Sequence, residues 1–220
     1  MTGPARLLVA LSLVFGLSYP LLWDHLPAAA DIAAKGAGVG LLALAALLRA
    51  RDLDGRLLAA VLALGAAGDM LLQVSLAAGA AAFAAGHAVA IFLYRRNRRP
   101  ESDQKDLAMA ALILAAAVAL PAFLLRGRAE AGPFVAYASL LGAMAASAWL
   151  SRFPRGLVAA GALLFLASDM LIALRMASEA AGLGPPIWLL YYAGQVMIFA
   201  GIISSPSEMG RGTTRRVVEG

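Results

Sequence analysis

Long apolar runs separated by short polar segments follow one another along the chain. Each run is close to the roughly 20 residues that an α-helix needs to cross about 30 Å of hydrocarbon. The pattern therefore predicts an all-α fold, a polytopic membrane bundle of about eight transmembrane helices. The predicted spans are Ala5–Trp23, Asp31–Leu48, Leu57–Val74, Leu76–Tyr94, Leu107–Leu125, Pro133–Leu150, Leu157–Met176 and Pro186–Ser204.

Composition supports a membrane protein with one domain. Hydrophobic residues make up 62% of the chain and charged residues 14%, whereas a soluble domain is about half apolar and about a quarter charged. We predict that residues 1–205 form a single transmembrane domain and that residues 206–220 form a polar, disordered cytoplasmic tail. The abundance of Ala, Gly and Arg leads us to expect a multi-pass protein of a bacterial inner membrane.

The basic residues are concentrated on one side of the predicted bundle. Most of the 18 Lys and Arg residues lie in loops on the amino-terminal side, whereas Arg126, Arg128 and Arg175 lie on the opposite side. Because cytoplasmic loops are enriched in Lys and Arg, this bias predicts that both termini are cytoplasmic. It also explains the net charge of +5 without a basic face, so we expect no nucleic-acid partner.

The first run also permits a second interpretation. Arg6, the apolar segment Leu7–Leu17 and the small residues Ala28–Ala30 could form a signal peptide with its cleavage site. However, the run continues to Trp23, which is long for a signal core, and its removal would spoil an internal duplication. We therefore favour a first span that is retained.

The duplication relates the two halves of the chain, approximately residues 1–100 and 101–205. The segment Arg56–Leu72 aligns without gaps with the segment 100 residues later, and Asp69 and Met70 meet identical residues there. Matches of Ala and Leu are common in such a sequence, but an aspartate at equal depth in two spans is rare. Because each half has an even number of spans, we predict two parallel four-helix repeats related by an axis along the membrane normal.

Ionisable side chains inside apolar spans are the candidate functional residues, because a charge at the bilayer centre costs about 2.5–3.5 kcal/mol on insertion scales. At 1.5 Å per helical residue, Asp69 and Asp169 both lie roughly 8–10 Å inside the non-cytoplasmic edge of the hydrocarbon. We predict that they form one site. Polar residues on neighbouring spans could support it, namely Lys35, His87, Tyr137, Ser168, Tyr191, Tyr192 and Gln195.

Several of these residues also have a structural interpretation. Asp69 could pair with Lys35 and lock two helices together, and His87 could be a buried imidazole without a catalytic role. Tyr192 and Gln195 are three residues apart, so we expect them to share a helical face. With two histidines and no cysteine, the chain has too few ligands for a usual zinc centre, and we predict neither a metal nor a cofactor.

The ordered set of polar residues resembles the YhhN-like, lysoplasmalogenase family of eight-span membrane proteins over nearly the whole chain. Gly36 stands where a proline is frequent in the family, and Ala90 where an aromatic residue is usual. The resemblance implies hydrolysis of the vinyl ether bond of alkenyl lysophospholipids, which releases a fatty aldehyde and a glycerophospho-base. It rests on Lys35, Gly68-Asp69 with Leu72, Phe83 with Gly86-His87, Tyr137, Met144, Phe165 with Ser168-Asp169, and Tyr191-Tyr192 with Gln195.

The chemistry of this reaction suits two carboxyl groups. Protonation of the β-carbon of a vinyl ether gives an oxocarbenium ion, which water captures. Two carboxyl groups in different environments can divide the tasks of acid and cation stabiliser, as in glycosidases. If Lys35 keeps Asp69 ionised, Asp169 is the expected acid, and the other polar residues would orient water or the headgroup. A small proton-coupled transporter is the alternative function, and the headgroup preference and the oligomeric state stay open.

Overall fold

The structure, a computed structural model, describes residues 3–178 and 180–205. Its helices are α1 (Gly3–Leu22), α2 (Ala28–Arg49), α3 (Leu53–Leu72), α4 (Leu76–Arg96), α5 (Gln104–Leu124), α6 (Ala131–Leu150), α7 (Ala160–Ser178) and α8 (Gly184–Ile203). A short 3-10 helix follows α1 at Trp23–His25, and a π-helical turn, Arg155–Ala159, leads into α7. No β-strand occurs within these two described ranges, where the only bridge joins Arg98 and Ser151.

All eight helices are long and apolar enough to cross a membrane, which confirms the predicted all-α fold of a multi-pass membrane protein. The α1–α2, α3–α4, α5–α6 and α7–α8 connections lie at one end of the bundle, which we call the distal end. The other connections and the start of α1 lie at the opposite end, which we call the terminal end. The predicted disordered tail, residues 206–220, falls outside the described residues, and the cytoplasmic location of the termini stays a prediction.

Local signals in the sequence explain where several helices begin. Asp52, Ser75 and Asp103 are the N-caps of α3, α4 and α5, and each side chain accepts a hydrogen bond, 2.7–3.3 Å long, from the backbone N–H three residues later. Such caps satisfy backbone donors that have no partner within the helix. Helix α8 carries Pro185 in its first turn, where the missing N–H has no intrahelical partner to lose. The three residues between α3 and α4 form a tight helical hairpin.

Contacts between the halves follow the pattern that a duplication would produce. Helix α4 packs against α6, and its counterpart α8 packs against α2, the counterpart of α6. The third and fourth helices of each half also pack closely against each other, as α3 with α4 and as α7 with α8. This exchange of equivalent contacts is the arrangement that two parallel repeats would give, and it brings α3, α4, α6, α7 and α8 together around one centre.

Charged residues tie the two halves together at the terminal end. Asp54 on α3 is buried and accepts hydrogen bonds from Arg96 at 2.7 Å and from Arg152 at 3.2 Å. Arg152, in the α6–α7 connection, also donates to Asn97 after α4 at 2.5 Å. The duplicated halves are therefore held by ion pairs at this end, while Asp69 and Asp169 lie in the opposite half of the bundle.

Candidate functional site

The two predicted aspartates are both enclosed by the bundle. Asp69 on α3 is 2% exposed and Asp169 on α7 is 5% exposed, so neither carboxyl group faces the surface that acyl chains would cover. Tyr137 on α6 lies within electrostatic range of both carboxyl groups. The structure therefore brings one carboxyl group from each half of the chain into the neighbourhood of Tyr137.

Asp69 takes its hydrogen bond from a tyrosine on the other half of the chain. The Tyr191 hydroxyl group on α8 donates to Oδ2 of Asp69 at 2.8 Å, and the side chain of Gln195, one turn further along α8, lies near the same hydroxyl group. Lys35 lies close enough to interact with Asp69 by charge, but its Nζ donates to Oε1 of Gln73 at 3.2 Å. Across residues 3–178 and 180–205, no ion pair joins Lys35 to Asp69, so the pair does not act as a direct lock between α2 and α3.

Asp169 has a matching but different environment. The Tyr137 hydroxyl group lies near the Asp169 carboxyl group, and Nε2 of His87 on α4 lies 3.2 Å from the same hydroxyl oxygen. His87 is itself 3% exposed. Each aspartate therefore lies beside a tyrosine, and each tyrosine lies beside a further polar side chain, His87 or Gln195.

Aromatic rings lie between the polar side chains around Asp69 and those around Asp169. Phe165 on α7 packs edge-on against the ring of Tyr191, with centroids 4.9 Å apart, and against the ring of His87 at 5.1 Å. Phe83 on α4 packs against both Phe165 and Tyr191 at 5.9 and 5.7 Å. Such apolar walls lower the local dielectric and strengthen the interaction of a carboxyl group with any charge that develops beside it.

The duplication extends to the residues that support the carboxyl groups. Lys35 on α2 and Tyr137 on α6 lie at similar positions along the second helix of each half. On the fourth helix of each half, Gly86 and His87 stand at the same positions along the helix as Gly194 and Gln195. The repeated Gly-polar pair was the available signal, but α7 continues further past Asp169 than α3 does past Asp69, so an ungapped alignment hides it.

A polar network at the distal end was missed by the sequence analysis. Asp31 on α2 accepts a hydrogen bond from the Tyr19 hydroxyl group at 2.8 Å and another from the side-chain amide of Gln73. Lys35 joins this network through Gln73, and the exposed Arg175 of α7 is near enough to interact with Lys35 by charge. The spacing of Asp31 and Lys35, four residues apart on one helix, was the signal that could have found it. This network surrounds the approach to Asp69 from the distal end.

Two predicted residues face away from the carboxyl groups. Tyr192 points towards α1, where its hydroxyl group lies 2.7 Å from the Ser12 hydroxyl group. The Ser168 hydroxyl group donates to the backbone carbonyl of Ile187 at 2.8 Å and so joins α7 to α8. The face that we expected Tyr192 to share with Gln195 is instead formed by Tyr191 and Gln195, because residues four apart are the closer neighbours on this face of α8.

The described residues contain no group of three or more His, Cys, Asp or Glu side chains that could hold a metal ion. The chemistry that the arrangement offers comes from its two carboxyl groups, their tyrosine partners and the charged network at the distal end. Carboxyl groups in such enclosed, unequal environments are typical of paired acid and base residues.

The family model for YhhN proteins matches residues 30–202. The chain belongs to the YhhN family. No protein of curated function and no solved structure matches it. The match to the YhhN family extends from α2 to α8 and includes both aspartates and all of their polar partners, so the resemblance found in the sequence is confirmed.

Proposed function

We propose that this YhhN-family protein is an intramembrane hydrolase of the lysoplasmalogenase type. It cleaves the vinyl ether bond of alkenyl lysophospholipids to a fatty aldehyde and a glycerophospho-base, and it acts in a bacterial inner membrane. The observation that carries the proposal is the convergence of two buried carboxyl groups, one from each half of the chain, on Tyr137. YhhN proteins are known as the lysoplasmalogenase family, which points to the same chemistry.

The two aspartates divide the reaction between them. Asp169, which among the described residues has a tyrosine and no cationic partner, donates its proton to the β-carbon of the vinyl ether. Asp69, which lies near Lys35, stays ionised and stabilises the positive charge on the α-carbon and oxygen. Water then adds to the α-carbon and returns a proton to Asp169, and the resulting hemiacetal breaks its bond to the glycerol oxygen.

The distal network supplies a place for the headgroup. Lys35 and Arg175 present positive charge at the distal end, and Asp31 presents negative charge beside them. A lysophospholipid headgroup carries a phosphate, which Lys and Arg bind. In this arrangement the phosphate contacts Lys35, and the vinyl ether extends from it towards the two aspartates.

The decisive experiment measures aldehyde release by purified protein in lipid nanodiscs supplied with an alkenyl lysophospholipid. Asp69→Asn and Asp169→Asn each remove a proton donor or a charge at nearly constant shape, and each should lower kcat by at least about 10³-fold, or about 4 kcal/mol of barrier. Asp103→Asn is the matched control, because asparagine caps a helix as well as aspartate, and it should keep the activity of the wild type.

A second control uses the substrate. The corresponding alkyl ether lysophospholipid has no double bond to protonate, so it should yield no aldehyde. Full activity in either aspartate variant, with folding verified by thermal denaturation, would refute the assignment of the two residues. Substrate-driven proton flux into vesicles without any aldehyde would support the small proton-coupled transporter instead.

A further inference from the structure

A small cavity lies inside the bundle and is bordered by Gly65, one helical turn to the terminal side of Asp69. It is lined by α3, α4, α6, α7 and α8 and has room for about one water molecule. Most of its lining is apolar, but His87 and Gln195 both border it. His87 lies 3.2 Å from the Tyr137 hydroxyl group, and Gln195 lies near Tyr191, which donates to Asp69.

Gln195 brings an unused acceptor to this cavity. The residue is 2% exposed, and its Oε1 accepts no hydrogen bond from any residue in the described part of the chain. Gly65 of α3 borders the same cavity, and a Cβ added there would lie 3.2 Å from the side-chain nitrogen of Gln195. Buried polar atoms almost always have a partner, either protein or ordered water, so an acceptor that borders a water-sized cavity indicates a bound donor.

The hydrogen bonds of the neighbouring residues define which atoms are left for that donor. Tyr191 gives its proton to Asp69, so this hydroxyl group does not donate to Gln195, and Oε1 of Gln195 remains a free acceptor. Nε2 of His87 faces the Tyr137 hydroxyl oxygen at 3.2 Å, so the other ring nitrogen is the one left for a further hydrogen bond. One group from each half of the chain thus remains, and a water molecule can bond to both.

We propose that this cavity binds one water molecule that donates to Gln195 Oε1 and hydrogen-bonds to His87, and so joins the polar side chains beside Asp69 and Asp169 into one network. The water and its two partners hold the hydroxyl groups of Tyr191 and Tyr137 beside the carboxyl groups. Because ordered water bridges of this kind are nearly as favourable as direct hydrogen bonds, the network holds both aspartates in place. The water site stands on the geometry alone, whereas its effect on turnover rests on the proposed function.

The first test is a structure of the full chain in nanodiscs at a resolution that shows buried waters. We expect one density peak within hydrogen-bond distance of both His87 and Gln195, and we expect Gln195→Leu to abolish it. A cavity that is dry in the wild type, while other buried waters are visible, would overturn the proposal.

The second test separates positioning from packing. Gln195→Leu should lower kcat by roughly 10- to 100-fold, the size expected when reacting groups are slightly misplaced, and leave KM nearly unchanged because the headgroup network is distant. Leu141→Met, another buried substitution at similar volume, should keep the wild-type kcat. The exchange His87→Gln with Gln195→His restores one amide and one imidazole at the cavity, so the double variant should turn over faster than either single variant.

These results distinguish the two proposals. Bound water in a wild-type protein that releases no aldehyde would leave the water site standing and refute the proposed function. A dry cavity in a protein that releases aldehyde through Asp69 and Asp169 would refute the water site alone. An unchanged kcat in Gln195→Leu would likewise exclude a positioning role for Gln195.

Discussion

At the scale of single residues, what breaks the symmetry of the site is the exchange of Lys35 for Tyr137. The two aspartates occupy equivalent positions on α3 and α7 and each lies beside a tyrosine hydroxyl group, but Asp69 also lies near the amino group of Lys35. Two equal carboxyl groups would have equal proton affinities, and neither would be specialised as an acid. The substitution within the duplication therefore gives the two halves different chemical tasks.

The sequence was sufficient to find Asp69, Asp169 and most of their partners, because polar side chains in lipid must find one another. It was not sufficient to tell Tyr191 from Tyr192. A membrane helix is apolar on its lipid-facing side as well as on its packed side, so the hydrophobic pattern does not fix its rotation. That rotation is set by packing, here by Trp188 and Tyr192, whose stacked rings turn towards α1.

The neighbouring tyrosines provide a matched pair of variants. Tyr191→Phe removes the donor to Asp69 and should lower kcat by about 10-fold or more, since a charge-assisted hydrogen bond contributes roughly 1.5–3 kcal/mol. Tyr192→Phe removes only the contact with Ser12 and should keep kcat while costing about 1 kcal/mol of stability. Kinetics and thermal denaturation of both variants check this. Equal losses of kcat in the two variants would contradict the different roles assigned to them.

At the scale of helices, close backbone contact between α7 and α8 sets the position of Asp169 relative to Tyr191. A Cβ added to Gly161 would lie 2.6 Å from the carbonyl oxygen of Gly194, and a Cβ on Gly194 would lie 2.6 Å from that of Gly161. Small residues permit such approaches between membrane helices. The sequence predicted both helices and their length, but not this crossing point, because glycine is abundant throughout the chain.

The start of α7 illustrates a second limit of the sequence. Leu157 was the predicted beginning of this span, whereas the structure has a π-helical turn at Arg155–Ala159 after Pro154. Hydrophobic periodicity does not distinguish a wide turn from a regular one, since both bury the same side chains. Such turns often occur near functional sites, and this one leads directly into the helix that carries Asp169.

The crossing of α7 and α8 can be tested by adding single methyl groups. Gly194→Ala should destabilise the protein by about 1–3 kcal/mol, because the rigid backbone of α7 cannot move aside without shifting the helix. Gly132→Ala, on α6 where nothing lies within 4 Å of the added Cβ, should have no cost because alanine favours helix formation. Melting temperatures from intrinsic tryptophan fluorescence provide the measurement. A Gly194→Ala variant as stable as the wild type would show that the two helices pack less closely than described.

At the scale of the whole molecule, hydropathy predicted the number of spans, and the duplication predicted two parallel four-helix repeats. Neither predicted that α4 would pack on α6 and α8 on α2, since apolar surfaces of membrane helices carry little information about their partners. These contacts between the halves create the site, because each aspartate depends on a tyrosine from another part of the bundle. The cavity one turn away has room for about one water molecule, which is too small for a lipid chain.

The direction from which the lipid enters depends on the orientation of the bundle. Arg126, Arg128 and Arg175 are the basic residues of the distal connections and helix ends, whereas the terminal end carries most of the others. The positive-inside rule predicts that the distal end, with Lys35 and Asp31, lies on the non-cytoplasmic side. On this prediction, the substrate would reach the aspartates from the non-cytoplasmic leaflet.

Single cysteines can determine this orientation, because the chain has no cysteine of its own. Glu130→Cys lies at the distal end and Glu101→Cys at the terminal end, and both positions are exposed. Acidic residues contribute little to topology, so neither substitution should reorient the protein. In right-side-out spheroplasts, a membrane-impermeant maleimide should label Glu130→Cys at once and Glu101→Cys only after permeabilisation. The reverse pattern would place both termini outside the cytoplasm and would make the inner leaflet the source of the substrate.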